Sequence, residues 1–327
     1  MIRTTNLTKR YGSFLAVDGI DLNIPAGQIY GFLGPNGAGK TSTIMMLLGI
    51  NRPTSGEIYL FGERYTPERL DLRKRIGVVP EKHPHGTWSW MTGREYLELF
   101  TDLFQVREAK LRINHLLEQV GLAEAQAKRV KDYSRGMLQK LSIVRALLHD
   151  PDILVLDEPI SGLDPLGIKQ VRDLIMSENR EGRTIFISSH LLSEMEKICG
   201  RVAIIYRGRL MAEDTMGALL SRIAKDREIH IDLETLPDEL PERIARELPF
   251  VLDGRREGTT LIVKISKEGD FRKALSEYLI ASNHIPLSIQ EKALTLEEAF
   301  VTITRENVQL FAAEERSGQG TADGGRL

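Results

Sequence analysis

The most informative stretch of the sequence is Gly34-Pro35-Asn36-Gly37-Ala38-Gly39-Lys40-Thr41. Two glycines separated by four residues and followed by Lys-Thr have the spacing of a P-loop. Glycines let successive backbone N–H groups turn inward around phosphate oxygens, and a helix that begins at Lys40 adds its positive end. The Lys40 ammonium can reach the β- and γ-phosphates of a nucleotide, and the Thr41 hydroxyl can bind Mg²⁺. Kinases, GTPases, helicases and transport ATPases all carry such a loop.

Short β-type runs alternate with amphipathic helical stretches from the start of the chain to about residue 224. This alternation predicts an α/β domain, with a largely parallel sheet and helices packed on its faces. The P-loop follows directly after the first strand that we predict from such a run. The clearest predicted strands are Gln28–Phe32, Ile153–Leu156 and Thr184–Ser188, and the clearest predicted helices are Gly93–Phe104 and Met137–His149.

Two acids, Asp157 and Glu158, follow the apolar run Ile153–Leu156. Such a run is typical of a buried parallel strand, and the carboxyl ends of parallel strands are where ligands bind. We therefore expect Asp157 to hold Mg²⁺ and Glu158 to orient the attacking water. A solvated acidic turn is the alternative, and the P-loop upstream makes that alternative the weaker one.

A third segment, Tyr133-Ser134-Arg135-Gly136-Met137, lies between the P-loop and the two acids. It resembles the signature motif of ABC (ATP-binding cassette) ATPases, whose common form is Leu-Ser-Gly-Gly-Gln. A Ser followed by Gly at a helix start is a good anion site, because it offers a hydroxyl, free N–H groups and a positive helix end. The resemblance implies that Ser134 and Gly136 contact the γ-phosphate of ATP held by another subunit. Arg135 and Met137 depart from the common form.

Further motifs resemble the same family in the same order. His190 matches the switch histidine that contacts the γ-phosphate, although a lone histidine is more often a surface or core residue. Tyr11 matches the aromatic that stacks on adenine, although an isolated tyrosine is more often core. Glu81 stands where the family has the glutamine of the Q-loop, and we expect it to bind Mg²⁺. The stretch that matches the D-loop of the dimer interface is Ser161, Gly162, Leu163 and Asp164.

The resemblance implies a complete ATPase site with ATP and Mg²⁺ as its cofactors. Lys40, Glu158 and His190 are the expected catalytic residues, and the expected metal ligands are Thr41, Asp157 and Glu81. The expected ATP contacts are Tyr11, Gly34, Pro35, Asn36, Gly37, Ala38, Gly39, Lys40, Thr41 and Ser42.

The resemblance also implies a fold, an ABC cassette at residues 1–224. Its mostly parallel sheet is joined by an antiparallel β part and by a helical subdomain at about 82–140. That subdomain is rich in aromatic residues, which either fill its own core or form the surface that grips a membrane partner. They are Trp88, Trp90, Tyr96, Phe100 and Phe104.

A second region, about 225–310, has a different pattern of predicted strands and helices. Its pattern predicts a small α+β domain with the order β-α-β-β-α-β of a ferredoxin-like arrangement. Within it we expect a turn at Gly254–Gly258 and a closing helix near Thr295–Thr304. The run Thr295–Phe300 resembles the C-terminal region of the ATPases of multidrug, antibiotic and bacteriocin exporters. Residues 311–327 are rich in glycine and polar residues and are expected to be disordered.

Composition bounds the possible partners. The net charge is −2, which gives no general attraction to nucleic acid, and the single cysteine, Cys199, makes an internal disulfide impossible. No apolar stretch approaches the ~20 residues that span a bilayer. We therefore expect a cytoplasmic protein whose role at a membrane, if it has one, depends on a partner. The resemblance to the ABC family implies a homodimer, bound to the inner face of the cell membrane, that powers transport through a separate integral membrane permease, with export the favoured direction. A soluble ABC ATPase without a permease is the alternative.

Overall fold

The computed structural model describes residues 1–81, 88–223, 226–266 and 269–305. These residues form two compact units, Met1–Met216 and a second that begins at Gly217. The expected domain boundary at 224/225 and the expected disordered tail, 311–327, lie outside the described residues. The same is true of 82–87, where the helical subdomain was expected to begin.

The first unit contains ten strands and seven α-helices within the described residues. The strands are β1 (Ile2–Tyr11), β2 (Phe14–Ile24), β3 (Ile29–Leu33), β4 (Ser55–Leu60), β5 (Glu63–Arg64), β6 (Ile76–Val79), β7 (Ile153–Asp157), β8 (Thr184–Ser189), β9 (Arg201–Tyr206) and β10 (Arg209–Thr215). The helices are α1 (Lys40–Leu47), α2 (Leu70–Arg73), α3 (Gly93–Phe104), α4 (Ala109–Gln119), α5 (Arg135–Leu147), α6 (Pro165–Arg180) and α7 (Leu192–Ile198).

Two sheets of this unit share one core. The central sheet has the order β10-β9-β3-β8-β7-β6 and is parallel except for β10, and an antiparallel sheet has the order β2-β1-β4-β5. Side chains from both sheets, among them Leu7, Ile20 and Phe32, meet in one buried cluster. This arrangement confirms the α/β prediction. The strand before the P-loop is the third and not the first, because β1 and β2 of the antiparallel sheet precede it.

The three strands that border the site are buried along their whole length. Every residue of β3, β7 and β8 is buried, as expected for apolar runs covered on both faces by other elements. The Phe186 ring of β8 packs against Tyr30 and Phe32 of β3, with ring centres 5.9 and 5.4 Å apart. These contacts fix neighbouring strand ends at one edge of the sheet.

The helix that carries the signature segment begins earlier than its hydrophobic pattern predicts. The pattern predicts a start at Met137, but α5 begins at Arg135. Ser134 has an extended backbone, and its hydroxyl accepts a hydrogen bond from the Met137 N–H at 3.2 Å. Ser134 is therefore the N-cap, and the two residues after it already belong to the first turn. The predicted helix Gly93–Phe104 is confirmed as α3.

The second unit has the predicted β-α-β-β-α-β order. Its four strands pair antiparallel in one sheet, which places the first and third strands at the centre. The turn predicted at Gly254–Gly258 is wrong at its start, because Gly254 lies inside a strand and the chain turns only at Gly258, where φ is +61°. The elements are α8 (Met216–Ile223), β11 (Asp226–Leu233), α9 (Leu240–Glu247), β12 (Val251–Glu257), β13 (Thr260–Ser266), α10 (Arg272–Ala281), β14 (Pro286–Lys292) and a helix at 296–305.

The second unit also has a core of its own. Apolar side chains of β11 and β13, such as Ile231 and Val263, pack against Leu275 and Leu279 of α10 and against Ile244 of α9. Within the ranges given above, no helix combines the length and the apolar character needed to cross a bilayer.

Candidate nucleotide site

Three adjacent parallel strands deliver the candidate site residues to one edge of the central sheet. The P-loop follows β3, Asp157 ends β7, and His190 follows β8. A cavity of about 440 Å³ opens at this edge, as expected for a ligand site of a parallel sheet. It is lined by Phe14, Ala16, Pro35, Asn36, Gly37, Gly39, Lys40, Thr41, Ser42, Glu81, Asp157, Glu158, Ser161 and His190.

The backbone of the P-loop passes so close to its neighbours that two positions require glycine. A Cβ on Gly34 would lie 2.4 Å from the carbonyl oxygen of Ile205, and one on Gly39 would lie 2.5 Å from that of Ala16. Gly39 also has a φ of +108°, a conformation that other residues rarely adopt. The loop therefore packs closely against the backbone of β9 and of β2.

Lys40 lies almost buried at the start of α1, with 6 % of its surface exposed. Its Nζ donates hydrogen bonds to the carbonyl oxygens of Gly34 at 2.7 Å and Pro35 at 3.3 Å, and it lies 3.7 Å from Oε1 of Glu158. The ammonium is thus held inside the loop by acceptors that a phosphate oxygen could replace.

Asp157 is buried at the end of β7. The Ser188 hydroxyl donates a hydrogen bond to its Oδ1, and burial raises the pKa of this carboxyl above its ordinary value. The charges of Glu81 and Glu158 raise that pKa further, because like charges disfavour a second ionised carboxylate. Sequence reasoning missed Ser188. The only signal for it was a serine at the end of the strand that neighbours β7.

Glu158 connects the P-loop to the end of β8. Its Oε2 lies 2.8 Å from Nδ1 of His190, while its Oε1 faces Lys40 and is buried without a hydrogen-bond partner among the described residues. The Glu158 backbone has a φ of +52°, which is uncommon for a residue with a side chain and is found where a site holds it in place. The geometry places one carboxylate between a buried cation and a histidine that is about half exposed.

The oxygen ligands expected for a metal line the same cavity. Thr41, Asp157 and Glu81 provide hydroxyl and carboxylate oxygens, which are the donors that Mg²⁺ prefers. Among the described residues no cluster of three or more His, Cys, Asp or Glu side chains is suited to hold a metal by itself. Magnesium is commonly held by one or two protein ligands together with substrate phosphates and water, so the set present fits that ion.

The aromatic side chain at the cavity is Phe14 and not the expected Tyr11. The Tyr11 hydroxyl accepts a hydrogen bond from Nδ2 of Asn51 at 2.9 Å, and the Lys9 ammonium lies 5.1 Å from the centre of its ring. Tyr11 does not line the cavity, whereas Phe14 does and is 63 % exposed. A phenylalanine directly after the turn at Gly12 and Ser13 was the available sequence signal.

The other expected residues divide between the cavity and its surroundings. Gly34 and Ala38 support the loop without lining the cavity, and Ser161 is the D-loop residue that lines it. The signature residues lie at the start of α5, outside this cavity, with Ser134 and Arg135 exposed to solvent. One chain therefore does not bring its signature segment to its own nucleotide cavity.

Comparison with known proteins places the chain in a family. The model of the ABC transporter family matches residues 17–161. The bacitracin transport ATP-binding protein BcrA of Bacillus licheniformis is 46 % identical over 232 residues, which cover 71 % of this chain and 75 % of that protein. The daunorubicin/doxorubicin resistance ATP-binding protein DrrA of Streptomyces peucetius is 33 % identical over 327 residues, which cover 98 % of this chain and 96 % of that protein.

Solved structures agree with this result. An ATP-binding subunit of an ABC transporter superimposes with a TM-score of 0.63 at 27 % identity, covering 68 % of this chain and 92 % of the other. A dimeric bacterial ABC transporter cassette has a TM-score of 0.61 at 25 % identity, covering 66 % and 99 %. The fold and the phosphate site define a P-loop ATPase. The chain belongs to the ATP-binding proteins of ABC transporters and is an ATP-hydrolysing subunit of that family.

Burial of the Asp157 carboxyl generates a prediction about stability without nucleotide. Because the pKa of Asp157 is raised in the folded state, the contribution of this group to stability is fully present below its ordinary pKa of 3.8, where it is protonated, and is lost as the pH rises through the raised value. Asp157→Asn removes the buried charge and keeps an oxygen for Ser188. We expect it to raise the unfolding free energy at pH 7 by about 1–3 kcal/mol.

Urea unfolding of the nucleotide-free protein at several pH values measures this effect. The gain should shrink as the pH falls toward 4, because the wild-type carboxyl then becomes neutral as well. Asp102→Asn, on the exposed side of α3, is the matched control and should change little. An equal effect of the two substitutions would contradict the assignment.

Proposed function

We propose that this chain powers transport, with export as the favoured direction, through a separate integral membrane permease, and that it works as a homodimer. The observation that supports two chains is the separation of Ser134 from the cavity of its own chain. In a head-to-tail pair, each ATP would lie between the P-loop of one chain and the positive start of α5 of the other. The cavity and the signature segment would then form one site only when two chains meet.

Each side chain at the cavity has a proposed task in hydrolysis. Lys40 and the P-loop amides stabilise the negative charge of the transferring phosphoryl group. Glu158 orients the attacking water and accepts its proton, and His190, within hydrogen-bond distance of Glu158, holds that carboxylate in place. Thr41, Asp157 and Glu81 would hold Mg²⁺, which neutralises phosphate charge when it is bound.

A second surface of the first unit supports the permease as partner. An apolar groove of about 340 Å³ runs between α2, β6, α3 and α5. At its rim Leu70 is 58 % exposed and Phe104 is 36 % exposed, with the Phe104 ring stacked on His149 at 4.2 Å. Burial lowers the pKa of His149, so that the ring is neutral at pH 7. An exposed apolar groove of this kind fits an apolar helix of another protein.

The aromatic residues of the helical subdomain divide between core and surface. Tyr96 is buried and packs against Phe100 with ring centres 5.0 Å apart, and Trp88 packs edge-on against Phe100 at 6.4 Å. Trp90 is 64 % exposed. We propose that Trp90 and the groove face the permease at the cytoplasmic side of the membrane, as the partnership requires. The relatives that are named for transport, drug resistance and Nod factor export support the choice of a transporter and of export.

The central test of this function is Glu158→Gln. The amide keeps the shape of the side chain but cannot accept the proton of the water, so turnover should fall by about 100-fold or more while ATP still binds. ATP should then hold two chains together, which size-exclusion chromatography with and without ATP measures. Glu124→Gln, at an exposed residue of a short 3₁₀ helix that does not line the cavity, is the control. Near-normal turnover, or a monomer in the presence of ATP, would refute the two-chain mechanism.

Phe14 provides a second prediction, because it lines the cavity while Tyr11 is bound by Asn51. Stacking of a base on an aromatic ring is worth about 1–3 kcal/mol. Phe14→Ala should therefore weaken ATP binding by about fivefold to 150-fold. Tyr11→Ala, the matched variant, should change it by less than about threefold. Fluorescence titration with an ATP analogue measures both, and a larger effect of Tyr11→Ala would restore the assignment based on the resemblance.

Glu81 provides a third prediction. Its carboxylate lies close enough to Asp157 to raise the pKa of that residue, so it adds negative charge beside the phosphates. Two charges about 5 Å apart interact by roughly 3 kcal/mol at an effective dielectric near 20. Glu81→Gln should therefore weaken the dependence of ATP binding on Mg²⁺ and leave basal hydrolysis within about tenfold. Titration of Mg²⁺ against nucleotide affinity decides the matter, and superimposable curves would show that Glu81 does not act on the metal.

A further inference from the structure

Arg135 contacts the loop that follows Glu158, although the family has a small glycine at this position of the signature segment. A Cβ placed on Gly162 would lie 2.7 Å from Nε and 2.8 Å from Cζ of Arg135. The guanidinium therefore lies directly against the Gly162 backbone, which has a φ of +75°. Its Nη2 is also 3.4 Å from the Ser161 hydroxyl. The planar, rigid shape of a guanidinium suits it to cover a glycine in this way.

The loop between Glu158 and Asp164 is held at both ends by local contacts. At its start the Ser161 N–H donates to the Glu158 carbonyl oxygen at 3.2 Å. At its end Asp164 caps α6, and its Oδ1 accepts from the Gly167 N–H at 2.8 Å. The middle of the loop, Ser161–Gly162, is held from outside by Arg135, which forms no ion pair within 4 Å among the residues that the structure describes.

This contact joins two parts of the chain that serve different purposes. Ser161 lines the nucleotide cavity of its own chain beside Glu158, whereas Ser134 and Arg135 begin α5 outside that cavity. We propose that Arg135 is a positioning residue, which holds the Ser161–Gly162 segment so that Ser161 and Glu158 keep their places in the cavity of the same chain. The proposal rests on the proposed function in one respect, since its test assumes that each nucleotide site forms between two chains.

A different role for a cation at this position makes the opposite prediction. An exposed guanidinium at the start of α5 could instead contact the phosphates of the ATP held by the other chain. The positioning role acts within one chain, and the phosphate role acts across two chains. Dimers with one disabled cavity distinguish them, because Lys40→Ala removes the cavity cation from a chosen chain.

The test uses two mixed dimers of full-length chains with different affinity tags, purified through both tags. In the first, an Arg135→Ala chain is paired with a Lys40→Ala chain, so the working cavity lacks its own Arg135 but meets an intact signature segment. In the second, an unaltered chain is paired with an Arg135→Ala/Lys40→Ala chain, so the working cavity keeps its own Arg135. The reference is an unaltered chain paired with a Lys40→Ala chain.

We expect kcat for ATP hydrolysis to fall about tenfold or more in the first dimer and to match the reference in the second, because a small misplacement of a catalytic loop has a large effect on rate. ATP binding to Arg135→Ala, measured by calorimetry, should stay within about twofold of the unaltered protein, since Arg135 does not line the cavity. Loss in the second dimer alone, or equal loss in both, would overturn the proposal in favour of a contact across chains or a general effect on α5.

Two controls complete the design. Arg107→Ala removes an exposed cation from the helical subdomain and should match the reference in both arrangements. If the reference dimer hydrolyses no ATP, one intact site per dimer is not sufficient for hydrolysis. The unmixed Arg135→Ala protein is then measured instead. In that protein, a lower kcat with ATP binding and the ATP-held dimer both unchanged supports positioning by Arg135, whereas an unchanged kcat or a weaker ATP-held dimer overturns it.

Discussion

The Glu158 carboxylate holds together the edge of the central sheet on which the site depends. One of its oxygens faces the Lys40 ammonium at 3.7 Å and the other lies 2.8 Å from the His190 ring. A buried carboxylate without such partners would be strongly destabilising, so the ends of three strands are coupled by one charge. The positive φ of Glu158 is an unfavourable backbone conformation, and it directs the side chain between Lys40 and His190.

The start of α5 is fixed by a different kind of contact. Ser134 caps the helix by accepting the Met137 N–H, and this leaves the positive helix end facing solvent and not the cavity of the same chain. Arg135 turns back to the Gly162 backbone, while a Cβ on Gly136 would come within 3.3 Å of Leu163. The signature segment and the loop after Glu158 therefore pack against each other within one chain. In the proposed pair of chains, each chain would contribute Ser161 to its own nucleotide site and Ser134 to the site of its partner.

The fold of the second unit does not depend on the nucleotide site that precedes it in the sequence. Its antiparallel sheet buries Ile229, Ile231 and Leu233 of β11 against α9 and α10, and this core contains residues of the second unit alone. The opposite face of the same strand carries Glu228, His230 and Asp232, which alternate with those apolar residues as the twofold period of a strand requires. Nothing in the described part of this unit resembles a phosphate-binding loop. The fold of the second unit follows from the alternation of apolar and polar residues along its strands. The nucleotide site of the first unit is formed by residues at the ends of strands.

The sequence by itself determined the features that depend on neighbours in the chain. The glycines of the P-loop, the apolar runs of β3, β7 and β8, and the order of elements in the second unit all follow from backbone sterics and from the period of burial, which act over a few residues. Only the tertiary structure decided that Phe14 lines the cavity and Tyr11 does not, that Ser188 donates to Asp157, and that Arg135 covers Gly162. Ser188 and Asp157, like Arg135 and Gly162, are far apart along the chain, and whether they meet depends on how strands and helices pack. That packing depends on many weak contacts between distant residues, so it cannot be predicted from the pattern of any short stretch of sequence.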